Sequence, residues 1–193
     1  MTKLIAPKGE EFERQLVSTG LHEVVCYSIV DLWSQEIEWK GQKKMQRKVQ
    51  ITFETQEKWM FKNKETGKEE EKPLIIGNRY TLSMNDWSHL YKDLTGRLWK
   101  APTDEFDIMT MIWKPAQIQV IEVEGKNGKV YHNMNNILPS DNKNKLFNET
   151  ESFSLQDFDK SVFDRLHKWM RDIIEKSPEY QALDATDKDD LPF

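Results

Sequence analysis

Residues Met45–Thr55 read MQRKVQITFET, and they alternate without a fault: Val49, Ile51 and Phe53 fall on one side, Lys48, Gln50, Thr52 and Glu54 on the other. A period of two over this length is the pattern of a strand with one face in a core and one in water. Upstream, His22–Trp33 (HEVVCYSIVDLW) is rich in β-branched and aromatic residues and predicts a long first strand. Downstream, Leu74, Ile76, Tyr80 and Leu82 alternate with Arg79 and Thr81, a third strand over 74–82. Ser83 with Asp86 three residues on resembles a capping box, and Trp87, Leu90, Tyr91, Leu94 and Leu98 recur at helical spacing. A shorter helical piece, 104–112, ends before Lys114-Pro115. Strands over 116–123 and 129–137 flank Gly125-Lys126-Asn127-Gly128, a hairpin turn.

The order strand, strand, strand, helix, strand, strand matches the five-stranded OB barrel, whose helix lies between strands three and four. Other small β-barrels and α+β folds share that order. Residues 57–72 (EKWMFKNKETGKEEEK) interrupt it as an irregular excursion or a protruding hairpin. Beyond a loop over 139–153, the stripe Leu155, Phe158, Val162, Phe163, Leu166, Trp169, Met170, Ile173 and Ile174 predicts one amphipathic helix to about Lys176, capped by Ser154. Ser177-Pro178 stops it, and the remaining residues hold too few apolar groups to fold alone, so a disordered acidic tail is expected. The expected divisions are an arm over 1–20, a barrel over 21–139, a loop and helix over 140–176, and the tail over 177–193.

The net charge of −5 is unevenly spread. From Ser177 onward Glu179, Asp184, Asp187, Asp189 and Asp190 face one cation, Lys188, a net of −4, which leaves −1 for the rest. Between Trp39 and Lys48 lie Lys40, Lys43, Lys44, Arg47 and Lys48 with no acid among them. A local basic stripe attracts phosphate even on an acidic chain. One cysteine, Cys26, excludes an internal disulfide and fits a reducing cytoplasm. No apolar run approaches the length of a membrane span. The four histidines are scattered, and no nucleophile elbow, phosphate loop or dinucleotide fingerprint occurs, so neither catalysis nor a metal or other cofactor is expected.

Sequence-tolerant recognition of single strands needs cations along the phosphates and flat π-faces for the bases. Trp33 and Trp39 beside Lys40, Lys43, Lys44, Arg47 and Lys48 supply both in the connection between the first two strands. Arg79 adds a cation on strand three, and Trp59 and Phe61 lie just beyond strand two. Trp33 and Tyr80 suit a core better than a stacking platform, and Trp59-Met60-Phe61 equally suits a flap over one barrel end. Tyr131 and His132 are ambiguous.

The last five residues, Asp189-Asp190-Leu191-Pro192-Phe193, join two carboxylates to a terminal aromatic plug. They resemble the acidic tip of bacterial and phage single-stranded DNA-binding proteins, by which those proteins recruit replication and repair enzymes. Val24–Leu32, Lys48–Glu54, Arg79-Tyr80-Thr81-Leu82-Ser83, Lys92-Asp93-Leu94, Tyr131-His132-Asn133 and Leu138-Pro139 resemble a bacteriophage family of OB-fold single-stranded DNA-binding proteins. The resemblance covers about 20–139 and resumes over 158–183. It implies non-catalytic protection of single-stranded DNA during phage replication or recombination in the host cytoplasm. It also implies that the tip binds host or phage replication proteins. Four features depart from the bacterial pattern: the flexible part before the tip is short where a long Gly/Pro/Gln-rich linker is usual, Lys188 interrupts the acidic run, Leu191 stands where isoleucine is commoner, and the long helix near the C-terminus is not part of the bacterial domain. Oligomeric state stays open, homo-oligomer included, as does an alternative in which the chain is a protein adaptor to the replication machinery.

Overall fold

In the computed structural model, residues 15–62, 66–98, 105–126, 128–154 and 156–189 are described. Among them the chain forms six strands and four helices: β1 (Gly20–Trp39), β2 (Gln42–Lys62), β3 (Glu69–Thr81), α1 (His89–Leu98), β4 (Pro115–Glu124), β5 (Val130–Pro139), β6 (Glu151–Phe153), α2 (Lys160–Arg165), α3 (Lys168–Ile174) and α4 (Pro178–Asp189). A 3₁₀ turn, Ile108–Met111, capped by the Asp107 side chain, stands where the second helical piece was expected. The strands form one open sheet in the order β3-β2-β1-β4-β5, antiparallel throughout, with β6 added parallel to β1. The architecture is therefore mainly β. No ladder joins β3 to β5 among the described residues, so the closed five-stranded barrel expected from the element order is not formed by backbone pairing; Asn78 Nδ2 reaches the Met134 carbonyl across that seam at 3.2 Å.

The inward faces are those the alternation predicts. Val49, Ile51 and Phe53 of β2, Tyr80 of β3 and Val24, Cys26 and Ile29 of β1 join residues from β4, β5 and α1 in the main core. Helix α1 closes on β5 through Gly96, where a Cβ would stand only 2.8 Å from the Ile137 carbonyl oxygen. Its N-terminus is held by Ser88, whose Oγ accepts from Tyr91 N at 3.0 Å; Ser83 instead serves the turn before it, accepting from Asn85 N.

Several expectations are corrected. Residues 34–44 are not a connection: β1 and β2 stay paired to Trp39↔Gln42 around a two-residue turn, Lys40 (φ 51) and Gly41 (φ 74). Both turn residues have positive φ, as the mirror-image hairpin turns require. The 57–72 excursion resolves into the hairpin alternative, with β2 and β3 paired from Lys58↔Pro73 to Lys62↔Glu69 after a bulge. Thus β2 is a shared spine, and two-stranded ribbons project from its two ends.

The single C-terminal helix is instead two, broken where Leu166 and His167 adopt extended backbone (ψ 148 and 137). The first is capped by Asp159, whose carboxylate accepts from Ser161 N and Val162 N, and not by Ser154. Both helices bury their apolar residues against the outer side of β1, where Phe163, Leu166, Met170 and Ile174 meet Val30, Leu32, Trp33 and Phe153 in a second core. The tail is helical, not disordered, from Pro178 to Asp189. Ser177 is buried, its Oγ accepts from Tyr180 N at 3.2 Å, and Pro178 follows at the first helical position, so the pair that ends one helix starts the next. Tyr180 then packs on Trp33 and Phe163, with ring centroids 5.9 and 5.2 Å apart.

Candidate nucleic-acid interface

The outward face of β2 and β3 is the floor of a long groove. Its central part, about 720 Å³, has Gln50 and Thr52 of β2 and Gly77 and Arg79 of β3 as floor. Gly77 is required there: a Cβ would lie 2.4 Å from the Ile51 carbonyl oxygen and 2.8 Å from Gln50 Nε2. One wall is Tyr131, His132 and Asn133 of β5; the other is Arg165, His167 and Trp169 from the C-terminal helices. Toward the β2–β3 ribbon the groove continues past Tyr27, Ile75 and Glu151 to Trp59 and Lys72. Toward the other end it passes Arg79 and Asn133 to Lys48, Thr81 and Trp87, whose ring is 83% exposed. The run from Lys72 to Thr81 along β3 is roughly 30 Å at strand spacing.

Tyr27 lies on this face, next in sequence to the core-facing Cys26 and at a bulge in β1. The ladder steps from Cys26↔Phe53 to Ser28↔Thr52, leaving Tyr27 as the extra residue. Burial, together with the nearby carboxylates Glu151 and Glu54, pushes its phenol well above the usual range.

The fold sorts the predicted cations. Asp31, almost fully buried, receives Arg47 Nε on both oxygens at 3.2 Å, so Arg47 is committed to an internal ion pair. Lys43 Nζ lies 2.8 Å from Glu36 on the facing strand. The stripe that contains no acid along the chain therefore has Asp31 and Glu36 opposite it across the ladder. Lys44 is exposed and forms no ion pair among the described residues, and Lys40 Nζ stands 6.0 Å from the Trp39 ring. Lys48 is half-buried in the groove, donating to Gln46 Oε1 and Thr81 Oγ1 at 2.7 Å, and desolvation with the neighbouring Arg79 lowers its pKa. Arg79 stacks over Trp169 at 5.3 Å, linking floor to wall.

The aromatic predictions divide likewise. Trp33 is fully buried in the second core, with positive φ (61°) and its backbone N–H donating to Asp31 Oδ1, so no face is open to a base. Trp39 is 58% exposed at the tip of the β1–β2 ribbon. Trp59 borders the groove and packs edge-on against Phe61, whose ring carries Lys72 Nζ at 4.7 Å. The groove thus unites Lys48, Arg79 and Trp59, while Trp39, Lys40, Lys43 and Lys44 stand on the ribbon. Asp190–Phe193 lie outside the described residues, as does the side chain of Asp189.

Sequence reasoning missed Tyr27, Trp87, Arg165, His167 and Trp169. Trp87 and Trp169 fall in apolar patterns of helical spacing, which argue for core positions. Arg165, His167 and Trp169 follow a period of two, which one continuous helix would scatter around its circumference; that spacing was the available signal.

Among the described residues no helix is long and apolar enough to cross a membrane, and no three His, Cys, Asp or Glu side chains are grouped to hold a metal ion. Neither a protein-family model nor a curated protein matches this sequence.

Proposed function

We propose that this chain binds single-stranded DNA without catalysis, holding the strand along the β2–β3 groove with little dependence on sequence. The observation that carries the reading is the groove itself: Lys48, Lys72, Arg79 and Arg165 line one continuous surface with Trp59, Trp87, Tyr131, His167 and Trp169. Cations that track a backbone and aromatic faces that stack bases are the two elements such binding needs, and a ~30 Å track suits the short end of the ~4–16 nucleotides one OB fold occupies. The strand order and the helix between β3 and β4 support an OB barrel left open along the β3–β5 seam. The β1–β2 ribbon, with Trp39, Lys40 and Lys44, extends the track beyond the sheet.

In this reading the protein protects single strands during phage replication or recombination in the host cytoplasm, and Asp189–Phe193 recruit replication proteins. The test is titration of the full-length protein with oligo-dT, followed by fluorescence anisotropy. Saturable binding is expected, weakened by Trp169→Ala by about 1–3 kcal/mol, the value of one stacked base. No binding to oligo-dT at low salt overturns the proposal and favours the adaptor alternative.

A further inference from the structure

The middle of the groove holds a residue that a phosphate-binding surface does not need. Glu151 opens β6, opposite Ser28 in the parallel ladder, and lines the groove where its central part meets the part leading to Trp59. Tyr27, Ile75 and Gln15 line the same junction. Ser28 Oγ donates to Glu151 Oε2 at 3.1 Å, and Oε1 accepts no hydrogen bond among the described residues. Burial raises the Glu151 pKa, while Ser28, Arg165 and His167 act in the opposite direction. The ladder that seats β6 is made of backbone, and a glutamine would accept the Ser28 hydrogen bond equally well. The negative charge faces Arg165 and His167 of the groove wall, and within the groove it repels phosphate.

A carboxylate among ring faces does have one use toward a nucleic acid. It accepts hydrogen bonds from base N–H donors, and the Watson–Crick edge of an unpaired guanine offers two side by side, N1–H and N2–H, matched to two carboxylate oxygens. Thymine offers one N–H between two carbonyl oxygens, which a carboxylate repels. We propose that Glu151 reads one base of the bound strand, accepting the N1–H and N2–H of a guanine beside Tyr27 while the backbone runs on the Arg79 and Arg165 side. The proposal rests on the groove being the single-strand site. It adds one selective position to an otherwise tolerant track.

The test walks a single dG through an oligo-dT of site length and measures competition against labelled oligo-dT. One position gains roughly fivefold to a hundredfold in affinity, the discrimination of a good bidentate contact. Hypoxanthine at that position, which lacks the N2 amino group, loses most of the gain on the unaltered protein. Glu151→Gln abolishes the gain, so that dG and dT at that position bind alike. Equal affinity for dG at every position, or a dG preference that survives in E151Q, overturns the role of Glu151. Absence of binding to any of these oligomers overturns the groove reading itself.

Discussion

Salt dependence tests the sorting of cations by the fold, because the number of neutralised phosphates can be worked from the structure. Three cations without an acidic partner line the groove, Lys48, Arg79 and Arg165, and two more, Lys40 and Lys44, stand on the ribbon beyond it. Lys43, Arg47 and Lys72 are excluded because Glu36, Asp31 and Glu70 already neutralise them. At about −0.7 per phosphate for a single strand, about five contacts give a slope of about −3.5 in log K against log salt. Affinity for oligo-dT then falls roughly 100-fold between 50 and 200 mM salt. Arg79→Ala makes the slope shallower by about 0.7. Arg47→Ala leaves the slope unchanged and instead costs about 1–3 kcal/mol of stability, since it strands a buried Asp31 while solvent already screens part of the pair. The assay is anisotropy at four or more salt concentrations for the wild type and both variants, with urea denaturation alongside. A wild-type slope shallower than −1, or equal effects of R47A and R79A on the slope, refutes the argument.

Other expectations concern the scaffold of the groove. Glu54, almost fully buried on β2, accepts from Phe147 N, Asn148 N and Asn148 Nδ2 at 2.7–2.9 Å and so pins the segment leading to β6; Glu54→Ala is expected to cost about 2–4 kcal/mol, read as a lower urea midpoint. Gly77→Ala drives a Cβ into the Ile51 carbonyl and is expected to cost at least about 1–3 kcal/mol, checked by thermal melting. Two carboxylates bend the pH profile in opposite directions. The Glu23 carboxyl is held below its ordinary value of 4.5, chiefly by the Ser140 hydroxyl, so its contribution is present above that pH and is lost as pH falls through the lowered value; Glu23→Gln flattens the acid limb. Glu151 is raised, so its ionised form opposes folding above about pH 4.5; Glu151→Gln is expected to melt higher than wild type at pH 7 and equal to it in acid. An E151Q protein less stable at pH 7 would sink that account.

Local pattern was enough for the strands that build the sheet. The alternation of Val49, Ile51 and Phe53 can be satisfied only with one face in a core, and the structure buries all three. The same rule separated Arg79 from Tyr80, and it placed Lys48 and Arg79 on the outer face together. The Lys40-Gly41 turn and the Ser177-Pro178 helix start also had local signals, in the two-residue turn and in the proline at the first helical position.

What only the tertiary structure decided are relations between residues distant in the chain. A run of cations with no acid in it becomes a set of ion pairs because antiparallel pairing brings Glu36 and Asp31 across from Lys43 and Arg47. Trp33, a candidate for stacking though better suited to a core, is taken by the core because Phe153, Phe163 and Tyr180 fold back over β1. The groove needs walls from residues 131–133 and 165–169 beside a floor from 50–79, and no period within one segment encodes that meeting. Side-chain alternation is a property of one strand and can be read along it; pairing partners and walls arise when separate apolar faces find a common core.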